Sequence, residues 1–296
     1  MKRAFGAAVV ALALATAGCA STTTTTKDAS PSSDGVRYDA ALHAKLPSAV
    51  RERGEIRLVT DPSYAPMEQF AADGQTIIGF EPDLASALGS VLGIKVTMVH
   101  GDFDSALDDV GKGVYDGVLS SMNDTPEREK KADFLDYFQA GTSIIVQRGN
   151  PRGITDLKDL CGLVVATELG TVQDDLLHRS QRGCGHDKMI IKEYKSNDDA
   201  LLELRTGRAL AVLNDFPPAA YLAGDVKTRA YYQLASTVQY EPGLFGIALA
   251  KTNGGLRDAL RQALDRLIRS GAYSELLQRW NLLAGALAAS SVNAGS

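Results

Sequence analysis

The chain has 296 residues, of which 45% are hydrophobic and 23% charged, and its formal net charge is -5. This ordinary globular composition is enough for about two domains of ~150 residues. Because the balance is acidic and the basic residues are dispersed, the composition argues against binding to nucleic acid or to an anionic membrane face.

The first residues of the chain predict export. Two basic residues precede an apolar run from Ala4 to Ala17, which is too short to cross a ~30 Å hydrocarbon layer as a helix. Residues 1–18 therefore have the pattern of a cleaved signal peptide. Cys19 directly after the cleavage point resembles the start of a bacterial lipoprotein and favours lipidation, although Thr16 stands where such signals usually carry Leu. Plain secretion with an incidental cysteine is the alternative.

A polar segment follows the signal. Residues 21–36 are rich in Thr and Ser and cannot bury enough apolar surface to fold. We predict a flexible, lipid-anchored linker over residues 19–45, with folded structure starting between Leu46 and Glu55. No later run is long and apolar enough for a transmembrane helix. The expected location is therefore the cell surface or the periplasm, with the chain anchored to the membrane through Cys19.

Cys161 and Cys184 remain as a pair if Cys19 is acylated. In an oxidising compartment such a pair favours a disulfide, which would close a loop of ~23 residues and stabilise the fold by roughly 3 kcal/mol. Two buried free thiols are the main alternative. A metal site using the neighbouring His186 is disfavoured because no second His or Cys has ligand spacing, so we predict no metal and no cofactor.

Hydrophobic periodicity predicts alternating strands and helices. Apolar residues alternate in Ile56–Val59 and in Ile94–Met98, as in strands, and recur at helical spacing between Asp83 and Leu92. Two further helices are predicted over Leu256–Ile268 and Tyr273–Trp280, with helix stops at Gly93 and Gly271 and a frayed tail after Asn281. This order indicates an α/β fold with parallel strands.

A weak internal repeat supports two similar lobes. Residues 106–121 and 200–215 share a short helix, a glycine stop, an apolar strand and two polar residues at matching positions. Because ligands of open α/β sheets bind beyond the carboxyl ends of the strands, Ser120-Ser121 and Asn214-Asp215 are predicted to line one cleft. Coincidental similarity between two α/β units is the alternative.

Arg128 stands where a cation is unusual. Thr125 and Pro126 predict a helix start and Glu127 suits its positive end, whereas an arginine in the first turn opposes the helix dipole. One hypothesis is that Arg128 meets an anion together with the N–H groups of that turn, since its planar guanidinium matches a carboxylate bidentately. A solvated arginine paired with a neighbouring carboxylate is the alternative.

Two other positions suggest contacts to a charged ligand. Gly170–Gln173 predicts a second loop-to-helix start, where Thr171 can donate hydrogen bonds to the same anion. Asp215 lies at a predicted strand end and would be the partner of a cation. Both residues have a simpler interpretation as helix caps.

Seven segments carry a family resemblance. They are Thr60–Glu68, Gly79–Leu84, Gly101–Asp104, Ser120–Arg128, Gly170–Gln173, Asn214–Asp215 and Phe245–Ala248. In this order and spacing they resemble the bacterial amino-acid-binding proteins of ABC importers, solute-binding protein family 3. The resemblance covers Glu55 to Trp280, and the ordered set is more specific than any single motif in it.

The resemblance implies a site for an amino acid. Arg128 would grip the ligand α-carboxylate, with hydrogen bonds from Ser121 and Thr171. Asp215 would take the α-ammonium group, helped by a main-chain carbonyl near Ser121. The other positions carried over as ligand contacts are Asp61, Tyr64, Phe103, Ser120, Asn123 and Gln173, of which Asp61, Tyr64 and Phe103 would line the side-chain pocket.

The resemblance also implies the type II periplasmic-binding-protein fold, in which two α/β lobes, each a sheet flanked by helices, are joined by two crossover strands as a hinge and close like a jaw. On this basis lobe 1 takes residues 46–140 and 242–283, lobe 2 takes 141–241, and 284–296 form a C-terminal tail. The crossovers are placed near Gln139–Thr142 and Val238–Gly243. The expected partners are an amino acid and the permease subunits of an ABC transporter, and the chain is expected to be a monomer.

Departures from the family pattern leave the ligand side chain open. Met67 stands where an aromatic wall is frequent, Asn123 replaces a small hydroxyl residue, and Glu168 stands where an apolar residue often touches the ligand. Together with Asp61 and Glu68, Glu168 favours a polar or cationic side chain if these carboxylates line the pocket. The alternative is that all three are solvated carboxylates on its rim.

Enzymatic and sensory functions are the rival hypotheses. An exported cyclohexadienyl or arogenate dehydratase on the same fold would need a positioned acid or base, and Glu168 could be one. A sensor module would normally need a transmembrane helix or an appended domain. The sequence has neither Gly-x-Ser-x-Gly nor His-Glu-x-x-His, which disfavours a hydrolase. We therefore predict that the chain is a binding protein and not an enzyme.

Overall fold

The computed structural model describes Met1 and residues 36–295. The predicted signal, Cys19 and most of the predicted linker lie outside the described residues. Within the unit Pro31–Ser296, strands and helices alternate as the periodicity predicts. Among the described residues, no helix combines the length and the apolar character that a membrane span requires.

The elements of the fold run through lobe 1, lobe 2 and lobe 1 again. The first part of lobe 1 contains α1 (Ala40–His43), α2 (Ser48–Arg53), β1 (Glu55–Thr60), β2 (Ser63–Tyr64), β3 (Glu68–Phe70), β4 (Ile77–Ile78), α3 (Phe80–Leu92), β5 (Lys95–His100), α4 (Ala106–Gly111), β6 (Gly117–Val118) and α5 (Pro126–Glu129). Strand β7 (Ala132–Gln147) leads into lobe 2, with β8 (Val164–Glu168), α6 (Val172–Ser180), β9 (Ile190–Tyr194), α7 (Asn197–Arg205), β10 (Ala211–Asp215), α8 (Phe216–Gly224) and β11 (Tyr232–Leu234). Strand β12 (Tyr240–Ala250) returns to lobe 1, followed by α9 (Gly254–Ser270), α10 (Ala272–Arg279) and β13 (Ser291–Val292). Turns of 3₁₀ helix occupy Leu157–Leu160, Gln181–Cys184 and Leu283–Gly285.

Within the described residues, one ten-stranded sheet runs through both lobes in the order β5-β1-β6-β12-β7-β10-β8-β9, with β11 and β13 also paired to β7. Strand β1 is parallel to β5 and β6 in lobe 1, and β8 is parallel to β9 and β10 in lobe 2. Strand β7 pairs with β12 from Ala132 to Ala140, and from Thr142 onward it pairs with β10 and β11. Both long strands therefore cross between the lobes, which confirms the predicted type II fold with two crossover strands.

Each lobe buries its own hydrophobic core. In lobe 1 the predicted helix face of α3, with Leu84, Leu88 and Val91, is fully buried against α9, α10 and the sheet. In lobe 2, Leu177 of α6 and Leu213 of β10 belong to one buried cluster. Separate cores allow the lobes to move as units about the crossover strands.

Two helices end at the predicted glycines. Gly93 has a φ of 62° and Gly271 a φ of 85°, in the left-handed region that a side chain disfavours. The N–H of each glycine bonds a carbonyl of the last helical turn. Both predicted helix stops are therefore confirmed.

Folded structure is already present about ten residues before its predicted start, at the first residues that the structure describes after Met1. Val36 and Leu42 pack against the core of lobe 1. Asp39 caps α1 by accepting hydrogen bonds from two of its N–H groups, and its carboxylate pairs with Arg266 of α9. The linker predicted over residues 19–45 is therefore too long at its end, because the cap and ion pair of Asp39 and the apolar contacts of Val36 and Leu42 dock this stretch on lobe 1.

The chain after Asn281 is not a frayed tail. Strand β13 pairs with β7, and the Asn293 side chain accepts a hydrogen bond from the N–H of Phe134 at 2.7 Å. The N–H of Gly295 donates to Asp124 Oδ2 at 2.8 Å. The prediction was wrong because Leu282, Ala286 and Val292 pack against the core of lobe 1 without a helical or strand-like period in the sequence, and backbone pairing and the Asn293 side chain add polar contacts.

Lobe 2 contains a disulfide between Cys161 and Cys184, whose Cα atoms are 5.3 Å apart. Cys161 follows the turn Leu157–Leu160, and Cys184 ends the turn that follows α6. The bond therefore ties the segment that follows α6 to the segment just before β8.

Thiol counting on denatured, unreduced protein is expected to find no free thiol at Cys161 or Cys184. Reduction should lower the free energy of unfolding by roughly 3 kcal/mol, because the unfolded chain regains the entropy of a loop of ~23 residues. Two reactive thiols besides position 19 would contradict the pairing.

Candidate functional site

The carboxyl ends of several strands meet at one cavity between the lobes. Asp61 follows β1, Ser120 and Ser121 follow β6, and Glu168 and Asp215 end β8 and β10. The place of this cavity matches the general position of ligands in open α/β sheets. Among the described residues it is lined by Asp61, Tyr64, Glu68, Phe103, Ser120, Ser121, Asn123, Glu168, Thr171, Gln173 and Asp215.

Nine of the ten ligand residues predicted from the sequence line this cavity, and Arg128 is the exception. Of the polar pairs in the internal repeat, Ser120, Ser121 and Asp215 line it, whereas Asn214 is buried within β10 and does not. Glu68 and Glu168 line the cavity and are only 1% and 8% exposed. The interpretation of these two carboxylates as solvated rim groups is therefore wrong.

The two lobes are closed around the cavity. Tyr64 of lobe 1 donates its hydroxyl to Asp215 Oδ2 of lobe 2 at 2.8 Å, and the N–H of Asp215 donates to Tyr64 Oη at 2.8 Å. Asn197 Nδ2 of lobe 2 donates to the carbonyl of Ser63 at 2.9 Å. Closure therefore engages residues that the sequence predicts as ligand contacts.

Asp215 is a buried carboxyl group that does not cap a helix. It is 3% exposed and precedes α8, but its side chain makes no capping bond to that helix. Burial raises the pKa of Asp215 to about 7. Hydrogen bonds from Tyr64 and Gln173 and the positive charge of Arg128 act to lower the pKa, but their effect is smaller. A cationic group placed at this carboxylate would lower its pKa again, because an opposite charge favours the ionised form.

Arg128 bridges the lobes from the edge of the site. Its Nη1 donates to the carbonyl of Asn123 in lobe 1 and its Nη2 to the carbonyl of Gly170 in lobe 2, both at 2.9 Å. Its guanidinium carbon lies 5.6 Å from the centre of the Phe103 ring. Burial lowers the pKa of Arg128 to about 10, although nearby carboxylates act to raise it. The guanidinium group is therefore charged at neutral pH. A solvated arginine does not describe this half-buried, doubly bonded side chain.

Both predicted helix starts have their caps. Thr125 Oγ1 accepts a hydrogen bond from the N–H of Arg128 at 3.3 Å. Thr171 Oγ1 accepts from the N–H of Asp174 at 3.1 Å and donates to the carbonyl of Glu168 at 2.8 Å. The hydroxyl proton of Thr171 is thus engaged within lobe 2, and a ligand anion would reach Thr171 through its N–H or by displacing that bond.

Asp61 of lobe 1 and Glu168 of lobe 2 meet across the cavity and hydrogen-bond through their carboxyl groups. Burial raises the pKa of both, and repulsion from Asp61 raises that of Glu168 further, well above its ordinary value. Asp198 of α7 is a third acid nearby, with a pKa raised to about 6 by burial and by Asp61. Two carboxyl groups in contact cannot both be ionised at low cost, so closure without a cation requires a proton between them.

A second acid pair fixes the residues that follow β6. The N–H and the hydroxyl of Ser121 both donate to Glu81 Oε1 at 2.8 Å, and Ser120 Oγ donates to Glu68 Oε1 at 3.2 Å. Tyr137 also bonds Glu81. The φ of Ser121 is 46°, a left-handed conformation that is strained for a serine. Glu81 therefore holds Ser121 in an otherwise unfavourable backbone position.

The sequence alone gave Glu81 no role, although it lies in one of the seven family segments. The available signal was Gly79 just before it, where a Cβ would lie 2.2 Å from the carbonyl oxygen of Met67. Such a glycine marks a close backbone approach at the start of α3. The contact to Ser121 spans 40 positions and has no local pattern.

A family model matches residues 56–283, that of the bacterial extracellular solute-binding proteins, family 3. The chain belongs to this family. The match contains every lining residue of the cavity and both crossover strands.

Similar members of family 3 include several arginine-binding proteins. The arginine-binding protein ArgT of Corynebacterium glutamicum is 30% identical over 257 residues, which are 85% of this chain and 82% of ArgT. The ABC transporter arginine-binding protein 1 of Escherichia coli is 27% identical over 246 residues, covering 81% of this chain and 96% of the relative.

Solved structures of family members share the fold. An ancestral arginine-binding protein bound to arginine has a TM-score of 0.71 and 30% identity, covering 77% of this chain and 98% of the other. An ancestral amino-acid-binding protein, described as a precursor of cyclohexadienyl dehydratase, has a TM-score of 0.70 and 32% identity, covering 78% of this chain and 97% of the other.

Met67, one of the residues at which this family-3 protein departs from the family pattern, lies outside the ligand cavity. Met67 is fully buried in the core of lobe 1 and does not line the cavity. The expectation that Met67 replaces an aromatic wall of the site is therefore wrong. The aromatic lining comes from Tyr64 and Phe103.

Proposed function

We propose that this solute-binding protein captures an L-amino acid with a cationic side chain, arginine or a close analogue, outside the cytoplasm and delivers it to the permease of an ABC importer. The charge of the cavity carries the proposal. Asp61, Glu68, Glu168 and Asp215 are among its lining residues, and the lining supplied by residues 36–295 includes no Lys or Arg. Buried carboxyl groups ionise at low cost only beside cationic partners, and a dibasic amino acid brings two positive groups.

Three sets of residues would each bind one charged group of the ligand. Asp215 would exchange its hydrogen bond from Tyr64 for the α-ammonium group. The guanidinium group of Arg128 would give up its hydrogen bond to the carbonyl of Gly170 and bind the α-carboxylate instead. Its planar shape allows two parallel hydrogen bonds to a carboxylate. Asp61 and Glu168 would both bind the cationic side chain of the ligand, which would replace the proton between their carboxyl groups. The names of the arginine-binding relatives support this class of ligand.

We further propose that the protein binds its ligand without converting it. The dehydratase alternative needs a proton donor or base at the reacting atoms, whereas the carboxyl group of Glu168 is engaged with that of Asp61. Incubation of the protein with prephenate and with arogenate should leave both unchanged. Formation of phenylpyruvate or phenylalanine above the blank would support the enzyme instead.

We also propose that Cys19 carries a lipid anchor and that the protein acts as a monomer at the membrane surface. The extracellular family and the cysteine that follows the signal pattern support this location. Cys19→Ala should release the protein into the soluble fraction, whereas Thr22→Ala in the same segment should leave it in the membrane fraction. A Cys19→Ala variant that stays with the membrane would show that the anchor is elsewhere.

A thermal-shift screen against the common amino acids tests the proposed ligand class. A ligand at 100 times its dissociation constant stabilises the folded state by about 2.7 kcal/mol, which raises the Tm of a domain this size by roughly 5–10 °C. Arginine and other dibasic amino acids should give the largest shifts. A larger shift with an acidic or an aliphatic amino acid would contradict the proposal.

A further inference from the structure

Outside the ligand cavity, one set of side chains in the described chain has metal-ligating geometry: Asp174, His178 and Glu193. Asp174 and His178 are four residues apart on α6 and therefore share one face of that helix. Glu193 lies on β9, the edge strand of the sheet in lobe 2. We propose that these three residues form a binding site for a divalent transition-metal ion of the zinc type, separate from the amino-acid site.

The distances between the ligand atoms fit a tetrahedral ion. His178 Nε2 lies 2.9 Å from Glu193 Oε1 and 3.4 Å from Asp174 Oδ1, and the three atoms lie within 4.8 Å of one another. Ligand atoms at ~2.0–2.2 Å from zinc in a tetrahedron stand about 3.3–3.6 Å apart. Small side-chain movements would therefore bring all three atoms onto one ion.

The buried carboxylate of Asp174 is the second observation that points to a cation. Asp174 is 8% exposed, and its Oδ1 is buried and accepts no hydrogen bond among the described groups. Burial and the nearby Glu193 raise the pKa of Asp174. A buried carboxylate oxygen without a donor is unfavourable, and a metal ion would satisfy it and the charge of Glu193 together.

The chemistry of the three groups selects the ion. One imidazole and two carboxylates suit zinc and its neighbours among the transition metals, whereas magnesium and calcium prefer all-oxygen sites. His178 Nδ1 contacts the Gln181 side-chain amide at 3.2 Å. If that amide is flipped, its oxygen can accept a hydrogen bond from the Nδ1–H group when Nε2 binds the metal. Three protein ligands leave a fourth position for water.

The site adjoins the ligand-binding loop. The N–H of Gly170 lies near enough to the Asp174 carboxylate to lower its pKa, and the carbonyl of Gly170 accepts a hydrogen bond from Arg128. The disulfide at Cys184 fixes the segment that follows α6. A metal ion held by Asp174 would therefore make this loop more rigid.

Calorimetric titration of the chelator-treated full chain with zinc chloride tests the proposal. One zinc ion should bind per chain, the Tm should rise by several degrees, and cobalt should give the intense visible bands of a tetrahedral site. His178→Ala should abolish all three responses, whereas His186→Ala, which removes another exposed histidine of lobe 2, should leave them unchanged. Zinc binding should weaken in acid, because protons compete with the metal ion for its ligand atoms.

Two results would overturn the assignment. Equal zinc affinity of the parent and His178→Ala would place the ion elsewhere, and a Tm response to calcium or magnesium but not to zinc would reject the ion class. Arginine binding by His178→Ala serves as the control for folding, because His178 does not line the amino-acid cavity.

Discussion

Arg128→Ala is expected to weaken the binding of arginine by a factor of about 30 to several thousand. The substitution would leave the α-carboxylate of the ligand in a closed cleft without its charged partner, and such a loss costs on the order of 2–5 kcal/mol. It would also remove the bond from Arg128 to Gly170 that joins the lobes. Isothermal titration calorimetry of the folded variant measures the effect.

Two further variants distinguish the loss of a specific ligand contact from a general loss of folded protein. Arg128→Lys keeps the charge but loses the planar fork, so its affinity should also fall clearly below that of the parent. Arg51→Ala, which removes an exposed arginine from α2, should bind like the parent. An Arg128→Ala affinity within about threefold of the parent would mean that the carboxylate is held by other groups.

Glu168→Gln is expected to weaken arginine binding by roughly 10- to 150-fold at neutral pH. The amide has the shape of the protonated acid and can keep a bond to Asp61, so the closed fold should survive. It cannot ionise, and the loss of one charged hydrogen-bond acceptor for the ligand side chain costs about 1.5–3 kcal/mol. Affinity for a neutral amino acid should fall less, which titration with arginine and glutamine can compare.

The affinity for arginine should rise with pH between about 5 and 7.5. Burial raises the pKa of Asp61 and Glu168 above their usual ~4 and that of Asp215 to about 7. At low pH these groups hold protons in the ligand-free closed protein, and a cationic ligand must displace them. Binding therefore releases protons, and linkage requires that the affinity increases as pH rises through the raised pKa values.

The pH dependence gives Glu168→Gln a second readout. The variant should show a flatter affinity profile and release fewer protons, as measured by titrations in buffers of different ionisation enthalpy. Glu127→Gln, which changes a side chain that is 80% exposed, should keep the parental profile. An unchanged profile in Glu168→Gln would show that the acid pair does not meet the ligand.

Periodic elements and ordered motifs could be predicted from the sequence because their signals are local. The alternation in β1, the buried face of α3 and the glycine stops depend on neighbouring residues, and the structure has all three. The family segments placed nine of ten ligand residues around one cavity, because their spacing reflects which strand ends carry polar groups.

Contacts between distant segments could not be predicted in the same way. The positioning of Ser121 by Glu81 and the acid pair of Asp61 and Glu168 exist only once the sheet and the lobes have come together. The docked segments at both ends of the fold were missed because their apolar residues follow no regular period, and caps and pairing with distant segments help to hold them. Arg128 was singled out by its unusual place in a first helical turn, but its bonds to two carbonyl groups were not foreseeable.

The claim that the acidic cavity selects a cationic amino acid is tested most directly by comparing L-arginine with L-citrulline. The two ligands have nearly the same shape, but citrulline carries a neutral urea group in place of the guanidinium. Calorimetric titration at pH 7.5 should give arginine an affinity at least about tenfold higher, since one charged hydrogen bond is worth about 1.5–3 kcal/mol. Equal affinities, or tighter binding of citrulline, would contradict the account.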